Sequence, residues 1–128
     1  REGDHLTIIA YSRMTVEAER AADALAGAGI TCDVVDLRSL APLDMDTVAA
    51  SVEKTGRALI VAEDCKTAGV SAEVYTRVVE ECFDFLQAPP RRVAAADTPV
   101  PCADALEKAA LPDAQKIINA ATELLSYS

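Results

Sequence analysis

Residues able to do acid–base or nucleophilic chemistry are few in this 128-residue chain, and their spacing assembles no catalytic set. The only histidine, His5, precedes the first predicted strand, where a solvent-exposed side chain is more typical than a catalytic one. No Ser-His-Asp or Cys-His arrangement can therefore be built at the carboxyl ends of the strands, where α/β proteins place their sites. The sequence does not predict catalysis by this chain alone.

The cysteines are widely spaced and include no CxxC pair, so neither a zinc site nor a dithiol redox motif is predicted. Most of them lie in apolar or helical patterns, where a free cysteine behaves as a small hydrophobic residue. Cys65 lies beside Lys66, and a thiolate next to a cation can be nucleophilic. Because no internal base accompanies it, a partly exposed thiol in a reducing compartment is the simpler interpretation.

Glu63 and Asp64 form an acidic pair at the end of the most apolar run, residues 58–62. Paired carboxylates can bind a metal or divide acid and base roles, but no further ligand cluster accompanies this pair. Adjacent residues of an extended chain also point to opposite sides. We therefore expect a polar rim contact or a salt bridge for one of them, and no metal site.

Phosphate and nucleic-acid sites are not indicated either. Neither GxGxxG nor GxxxxGK[ST] occurs, and the first predicted strand-to-helix turn, residues 11–15, contains no glycine. Aromatic residues make up only 4% of the chain, and the net charge of −9 disfavours a nucleic-acid backbone as partner. No apolar run is long enough for a membrane helix. The acidic balance suits a solvated surface or a basic protein partner.

The elements that would position these side chains alternate between short apolar runs and longer segments with helical spacing. Their order, β-α-β-α-β-α-β and a closing helix, is typical of a mostly parallel sheet with helices on both faces. The length fits one domain, residues 1–128. The predicted strands are residues 6–11, 31–37, 58–62 and 92–96, and the predicted helices are residues 15–28, 44–54, 71–86 and 112–125.

One positive feature follows the second predicted strand. Arg38 begins a loop that ends at Asp44, and a guanidinium there can fork onto a carboxylate of a neighbouring domain or partner. A surface arginine in a loop that merely lets Asp44 cap the next helix explains the pattern equally well. The residue types alone leave both interpretations open.

Four sequence blocks resemble a known family. They are GDHLTIIAYSRM (3–14), DVVDLRSLAPLDMDTV (33–48), VEKTGRALIVAEDCKTAGVSAEV (52–74) and APPRRVAAADTPVPCADALEKAALP (88–112). In order and nearly throughout, the chain is similar to the C-terminal domain of the pyruvate dehydrogenase β-subunit. That subunit belongs to the thiamine-diphosphate-dependent component of 2-oxo acid dehydrogenase complexes, and the wider superfamily includes the C-terminal domain of transketolase.

The resemblance implies a three-layer α/β/α fold with a mostly parallel sheet of five strands, one of them antiparallel. It implies a fragment of a longer β-subunit, an interpretation that Arg1 in place of an initiating Met favours. In the family, thiamine diphosphate and Mg²⁺ are bound by other parts of the enzyme, so no catalytic, cofactor or metal residue is expected here. Oxidative decarboxylation and acyl transfer to lipoyl groups would belong to the whole complex, with pyruvate preferred over branched-chain acids or acetoin.

The implied partners are the remainder of the β-subunit, the α-subunit, a second β-subunit and the dihydrolipoyl acyltransferase core. The expected compartment is the cytoplasm or, in a eukaryote, the mitochondrial matrix or plastid stroma. The alternative is an independent flavodoxin-like module that holds a small ligand at the strand ends. Residues matched to the family's loops, and expected at interfaces with the rest of the enzyme, are Arg38, Pro42, Asp44, Glu63, Thr67, Gly69, Asp97, Pro99 and Pro101.

Two departures from the family pattern affect these loops. The family usually has two glycines where this chain has Ala68 and Gly69, and an aromatic residue where it has Cys102. The detailed geometry of the two loops is therefore not carried over from the family.

Overall fold

A computed structural model describes residues 1–40, 42–65, 67, 69–95 and 111–127. Within these residues four strands form one parallel sheet between two layers of helices. The strands are β1 (Leu6–Ala10), β2 (Cys32–Asp36), β3 (Ala58–Cys65) and β4 (Arg91–Ala95), and the helices are α1 (Met14–Gly27), α2 (Met45–Thr55), α3 (Val70–Cys82) and α4 (Ala114–Leu125).

The strands lie in the order β2-β1-β3-β4, and all three pairs are parallel. Every residue of β1 is buried, which explains why its sequence is a continuous apolar run and not an alternating one. Ile8 stands at the centre, paired with Val34 on one side and Leu59 on the other. The sheet thus places β1 and β3 in the middle.

Helices cover both faces of the sheet. Ile8 and Val61 face the layer that α1 and α4 form, and Ile9 and Ile60 face the layer of α2 and α3. The predicted three-layer α/β/α architecture is confirmed. The antiparallel fifth strand that the resemblance implies is not among the described residues, and it stays a prediction.

Two element ends differ by more than two residues from the sequence prediction. β3 continues to Cys65, beyond the predicted end at Ala62, because Cys65 pairs with Ala95 of β4 after an irregularity in the register. α3 stops at Cys82, short of the predicted end at Leu86. A short 3-10 helix, Phe83–Phe85, follows it, and its tighter winding leaves both phenylalanines exposed.

The first residues of the chain cross the start of β2. The amide of Val34 donates to the Arg1 carbonyl oxygen at 3.1 Å on the far side of β2 from β1. Between Arg1 and β1 the chain passes so close to β2 that a Cβ atom on Gly3 would lie 2.4 Å from backbone atoms of Cys32. Glycine is therefore required at this crossing.

Candidate functional site

The carboxyl ends of β1, β2 and β3 meet along one edge of the sheet because the strands are parallel. We call it the carboxyl edge, formed among the described residues by 10–13, 36–40, 42–44, 63–65, 67, 69 and 70. At the end of β1, Ser12 has a φ of 56°, in the left-handed region. The left-handed conformation costs a residue with a side chain about 1–2 kcal/mol relative to the right-handed one. The turn forms although residues 11–15 contain no glycine, and it brings Arg13 beside β3.

Arg13 Nη2 donates to Glu63 Oε2 at 2.8 Å, which joins the ends of β1 and β3. The salt bridge predicted for one member of the acidic pair is therefore formed by Glu63. On the other side of β1, Thr15 Oγ1 donates to Asp36 Oδ1 at 3.2 Å and ties α1 to the end of β2.

Asp64 points to the opposite face of β3 and caps α3. Its Oδ2 atom accepts from the amide of Val70 at 2.5 Å, because the residue before the helix, Gly69, has no side chain to do so. Its Oδ1 atom is buried and has no hydrogen-bond partner among the described residues. Burial and the neighbouring Asp64 carboxylate raise the pKa of Tyr11 to about 12, so the phenol stays protonated at neutral pH.

The loop after β2 carries the feature that the sequence singled out. The Arg38 side chain is 90% exposed, and its Nε atom lies 3.8 Å from Asp36 Oδ2. Asp44 accepts from the amide of Thr47 at 3.2 Å and from its hydroxyl at 2.6 Å, so the predicted helix cap is confirmed. These two bonds lower the pKa of Asp44. Pro42, which lies between Arg38 and Asp44 in the sequence, is exposed.

The other residues predicted at interfaces divide into two groups. Thr67 is exposed and Gly69 half-buried, both in the turn from β3 to α3. Asp97, Pro99 and Pro101 lie outside the described residues, as does Lys66 beside Cys65. The sequence analysis did not single out Tyr11. It also assigned no helix cap to Asp64, because this carboxylate and the Val70 amide that it caps are six residues apart.

The remaining nucleophile candidates lie away from this edge. His5 lies at the opposite end of β1, where its Nδ1 atom accepts from the amide of Thr31 at 3.0 Å. Cys32 and Cys82 are buried, and burial raises the pKa of both thiols, that of Cys32 to about 11. Both thiols are therefore protonated at neutral pH and act as the small hydrophobic residues that the sequence predicted.

Neither a metal-binding cluster nor a membrane-spanning helix occurs among the described residues. No group of three or more His, Cys, Asp and Glu side chains is arranged to hold a metal ion there. Over the same residues, no helix is long and apolar enough to cross a membrane.

An exposed aromatic patch lies at the far end of the sheet from the carboxyl edge, where α3 and α4 end. It consists of Phe83, Phe85 and Tyr127, which are 69%, 45% and 52% exposed. A groove of 550 Å³ between Phe83 and Tyr127 is floored by Val79 and Leu86. Isolated exposed hydrophobic residues are ordinary, but two exposed aromatic side chains, those of Phe83 and Tyr127, on one apolar groove are typical of a contact surface.

Comparisons with known proteins agree with the fold. The family model described as "Transketolase, C-terminal domain" matches residues 1–117. The β-2 subunit of the mitochondrial pyruvate dehydrogenase E1 component of rice is 46% identical over 94% of this chain and 32% of its own length. The β-subunit of the Bacillus subtilis enzyme is 45% identical over 99% of this chain and 39% of its own. The resemblance that the four sequence blocks indicated is confirmed.

A solved structure agrees as well. A split-gene transketolase, described as an inactive β4 tetramer, superposes with a TM-score of 0.83 at 28% identity, over 98% of this chain and 40% of that one. The chain thus spans about a third of the length of the curated relatives that it matches.

Proposed function

The chain belongs to the transketolase C-terminal domain family, and on that premise we propose that it is the C-terminal assembly domain of a pyruvate dehydrogenase β-subunit. The observation that carries the proposal is the match to such subunits at 45–46% identity over 94–99% of this chain. Identity of this extent along the whole chain favours an assembly domain over the independent flavodoxin-like module.

The reaction would belong to the whole complex. Its substrate would be a 2-oxo acid, pyruvate in the first place, which is decarboxylated and oxidised while the acyl group passes to a lipoyl group. The names of the relatives support pyruvate, and the relatives themselves are a mitochondrial and a bacterial protein. We infer the cytoplasm or the mitochondrial matrix as the compartment of this chain.

Thiamine diphosphate and Mg²⁺ would be held elsewhere in the enzyme, because the described carboxyl edge does not suit a diphosphate. Glu63 and Asp64 place two carboxylates at the end of the central strand β3. The nearest described guanidinium, that of Arg13, is already paired with Glu63. An anionic ligand would meet repulsion there. We therefore derive no catalytic step through this cofactor from the present chain.

We assign the carboxyl edge to contacts with the remainder of the β-subunit and with the α-subunit. Arg38, Pro42, Asp44, Glu63, Thr67 and Gly69 are the described residues of this interface, with Asp97, Pro99 and Pro101 as its proposed continuation. The supporting observation is the 90% exposed Arg38 side chain. A guanidinium that finds a carboxylate across an interface gains charge-assisted hydrogen bonds.

We assign the aromatic patch to contacts with a second β-subunit or with the acyltransferase core. The side chain of Asp84 lines the same groove, and Glu80 and Glu81 are exposed on the preceding turn of α3. An apolar groove with acidic neighbours fits a partner that presents apolar and basic side chains. This is the kind of surface that an assembly domain needs at the end remote from the rest of its own subunit.

Calorimetry separates this proposal from a ligand-binding module. Thiamine diphosphate with Mg²⁺ is titrated into the chain and, as a control, into the intact enzyme of α- and β-subunits. We expect heat of binding from the intact enzyme alone. Saturable binding of thiamine diphosphate to the 128-residue chain at micromolar concentration would overturn the assignment as a domain without cofactor.

A further inference from the structure

A buried polar cluster lies at the amino end of the sheet, opposite the carboxyl edge. We call it the amino-end cluster, and it joins β1, β2 and α2. Its members are less than a tenth exposed apart from Lys54, whose ammonium group reaches in from the surface. They are Thr7 (0% exposed), Thr55 (3%), Ser51 (5%), Asp33 (8%) and Lys54.

Each of these groups has a hydrogen-bond partner within the cluster. The Thr7 hydroxyl oxygen lies 2.6 Å from that of Ser51 and 2.7 Å from that of Thr55. The Ser51 hydroxyl donates to Asp33 Oδ2. The other carboxylate oxygen, Asp33 Oδ1, accepts from Lys54 Nζ and from the amide of Gly3, each at 3.0 Å.

The carboxylate sets the direction of the chain of hydroxyls. An ionised Asp33 can only accept, so the single proton of Ser51 goes to it. Thr7 must then donate to Ser51, and its contact with Thr55 is a hydrogen bond only when the single proton of Thr55 points to Thr7 and not to the Arg57 carbonyl at 3.1 Å. Bonds that point in one direction toward a charge reinforce each other. The cluster is therefore an ordered unit and not three independent contacts.

This unit fixes α2 along its axis. Ser51 and Thr55 are one helical turn apart, and both hold the same oxygen atom of Thr7. The other contacts of α2 with the sheet, through Val48 and Val52, are apolar and non-directional. A slide of α2 by about 1 Å along its axis would lengthen one of the two Thr7 bonds and compress the other, whereas the apolar contacts would tolerate it.

The opposite end of α2 carries the proposed interface. Asp44 caps the helix two turns, about 10 Å, before Ser51, and a β-bridge between Leu40 and Leu43 closes the loop that starts at Arg38. We propose that the amino-end cluster positions α2, and through it presents Arg38 and Asp44 to the neighbouring domain. The inference rests on the interface role of this loop under the proposed function, and makes Thr7, Ser51 and Thr55 positioning residues.

The test compares Thr7→Val, which removes the hydroxyl and keeps the shape, with Thr7→Ser, which keeps the hydroxyl. Thr76→Val is the matched control, because Thr76 donates to its own helix on the exposed side of α3. We expect Thr7→Val to move the amide resonances of residues 38–47 and to weaken association of the intact β-subunit with the α-subunit about 3- to 10-fold. Thr7→Ser should restore both, and Thr76→Val should change neither.

The amide resonances and the association with the α-subunit test separate parts of the proposal. Unchanged resonances of residues 38–47 in Thr7→Val would overturn the positioning role, whatever the loop contacts. If the resonances move but the association with the α-subunit is unchanged, the cluster positions the loop. That result would overturn the loop's place at the interface. If Thr7→Val does not fold, Thr55→Val replaces it, because this change leaves the bonds among Thr7, Ser51 and Asp33 intact. We expect the same moved resonances and the same weaker association.

Discussion

The two ends of the sheet use polar side chains in opposite ways. At the amino end, Thr7, Asp33 and Ser51 are buried and hydrogen-bonded to one another. At the carboxyl edge, Arg38 is 90% exposed. A buried polar group whose hydrogen bonds are satisfied stabilises its own fold, whereas an exposed charged group is available to a partner.

Burial and satisfied hydrogen bonding together, and not residue type, separate the polar groups that hold this fold from those exposed to a partner. Asp33 and Glu63 are both strand carboxylates paired with a cation. Only Asp33 also accepts an amide and a hydroxyl, from Gly3 and Ser51. We therefore expect the loss of the carboxylate to change the stability of the fold more at Asp33 than at Glu63.

The largest expected effect is on the amino-end cluster. Asp33→Ala leaves the Ser51 hydroxyl and the Gly3 amide without their acceptor in a buried site, which we expect to lower the free energy of unfolding by about 3 kcal/mol. Glu63→Ala removes a partly exposed ion pair, and its expected cost is below about 1 kcal/mol. Urea unfolding of both variants measures the difference. Equal costs at the two positions would break the comparison.

A second effect concerns the crossing of Gly3 over β2. Gly3→Ala places a Cβ atom 2.4 Å from the Cys32 backbone and displaces the amide that bonds Asp33. We expect a loss of about 1–3 kcal/mol. Gly27→Ala is the control, because a Cβ there meets nothing within 4 Å and alanine favours the helix. Thermal unfolding that ranks Gly3→Ala as the more stable of the two would contradict the close approach.

The acid dependence of stability should follow Asp33. Burial would raise the pKa of Asp33, but hydrogen bonds from Ser51, Lys54 and Gly3 outweigh it and lower that pKa. An unfolded aspartate titrates near about 3.9, so the ionised Asp33 stabilises the fold above that pH. The stabilisation is lost as the pH falls through the lower folded pKa.

Asp33→Asn should therefore flatten the decline in unfolding free energy as the pH falls below about 4. The measurement is urea unfolding at a series of pH values. A wild-type slope in Asp33→Asn would show that other carboxyl groups carry the acid sensitivity.

The smallest expected effect on stability is at the proposed interface itself. Arg38→Ala removes a side chain that lies in solvent 3.8 Å from Asp36. We expect a change of less than about 0.5 kcal/mol in the unfolding free energy of the chain. A larger loss would mean that Arg38 belongs with the fold-holding groups of the other end.

Much of the fold could be predicted from the sequence because buried parallel strands and amphipathic helices leave strong patterns. The β1 and α4 segments and the cap at Asp44 were all predictable from local residues. The end of β3 was not, since Glu63 to Cys65 are polar or ambiguous and join the strand only through pairing with β4. Local pattern predicts an element, but its last residues depend on a neighbour that is distant in sequence.

The polar contacts were less predictable than the elements. The amino-end cluster joins residues 7, 33, 51 and 55, and no local pattern marks a threonine or serine as a partner of a distant carboxylate. The same holds for Tyr11 beside Asp64. The exposure of Arg38 agrees with the loop that the sequence predicted, whereas its contact with another domain stays a prediction.

The central claim is that the carboxyl edge is a contact surface and not part of what holds the chain together. Its most direct test is the association of the intact β-subunit with the α-subunit, followed by sedimentation velocity, for the wild type and Arg38→Ala. We predict an assembly about tenfold weaker in Arg38→Ala, as for an arginine anchor at an interface, with an unchanged melting temperature of the chain. Assembly of Arg38→Ala as tight as that of the wild type would contradict the claim.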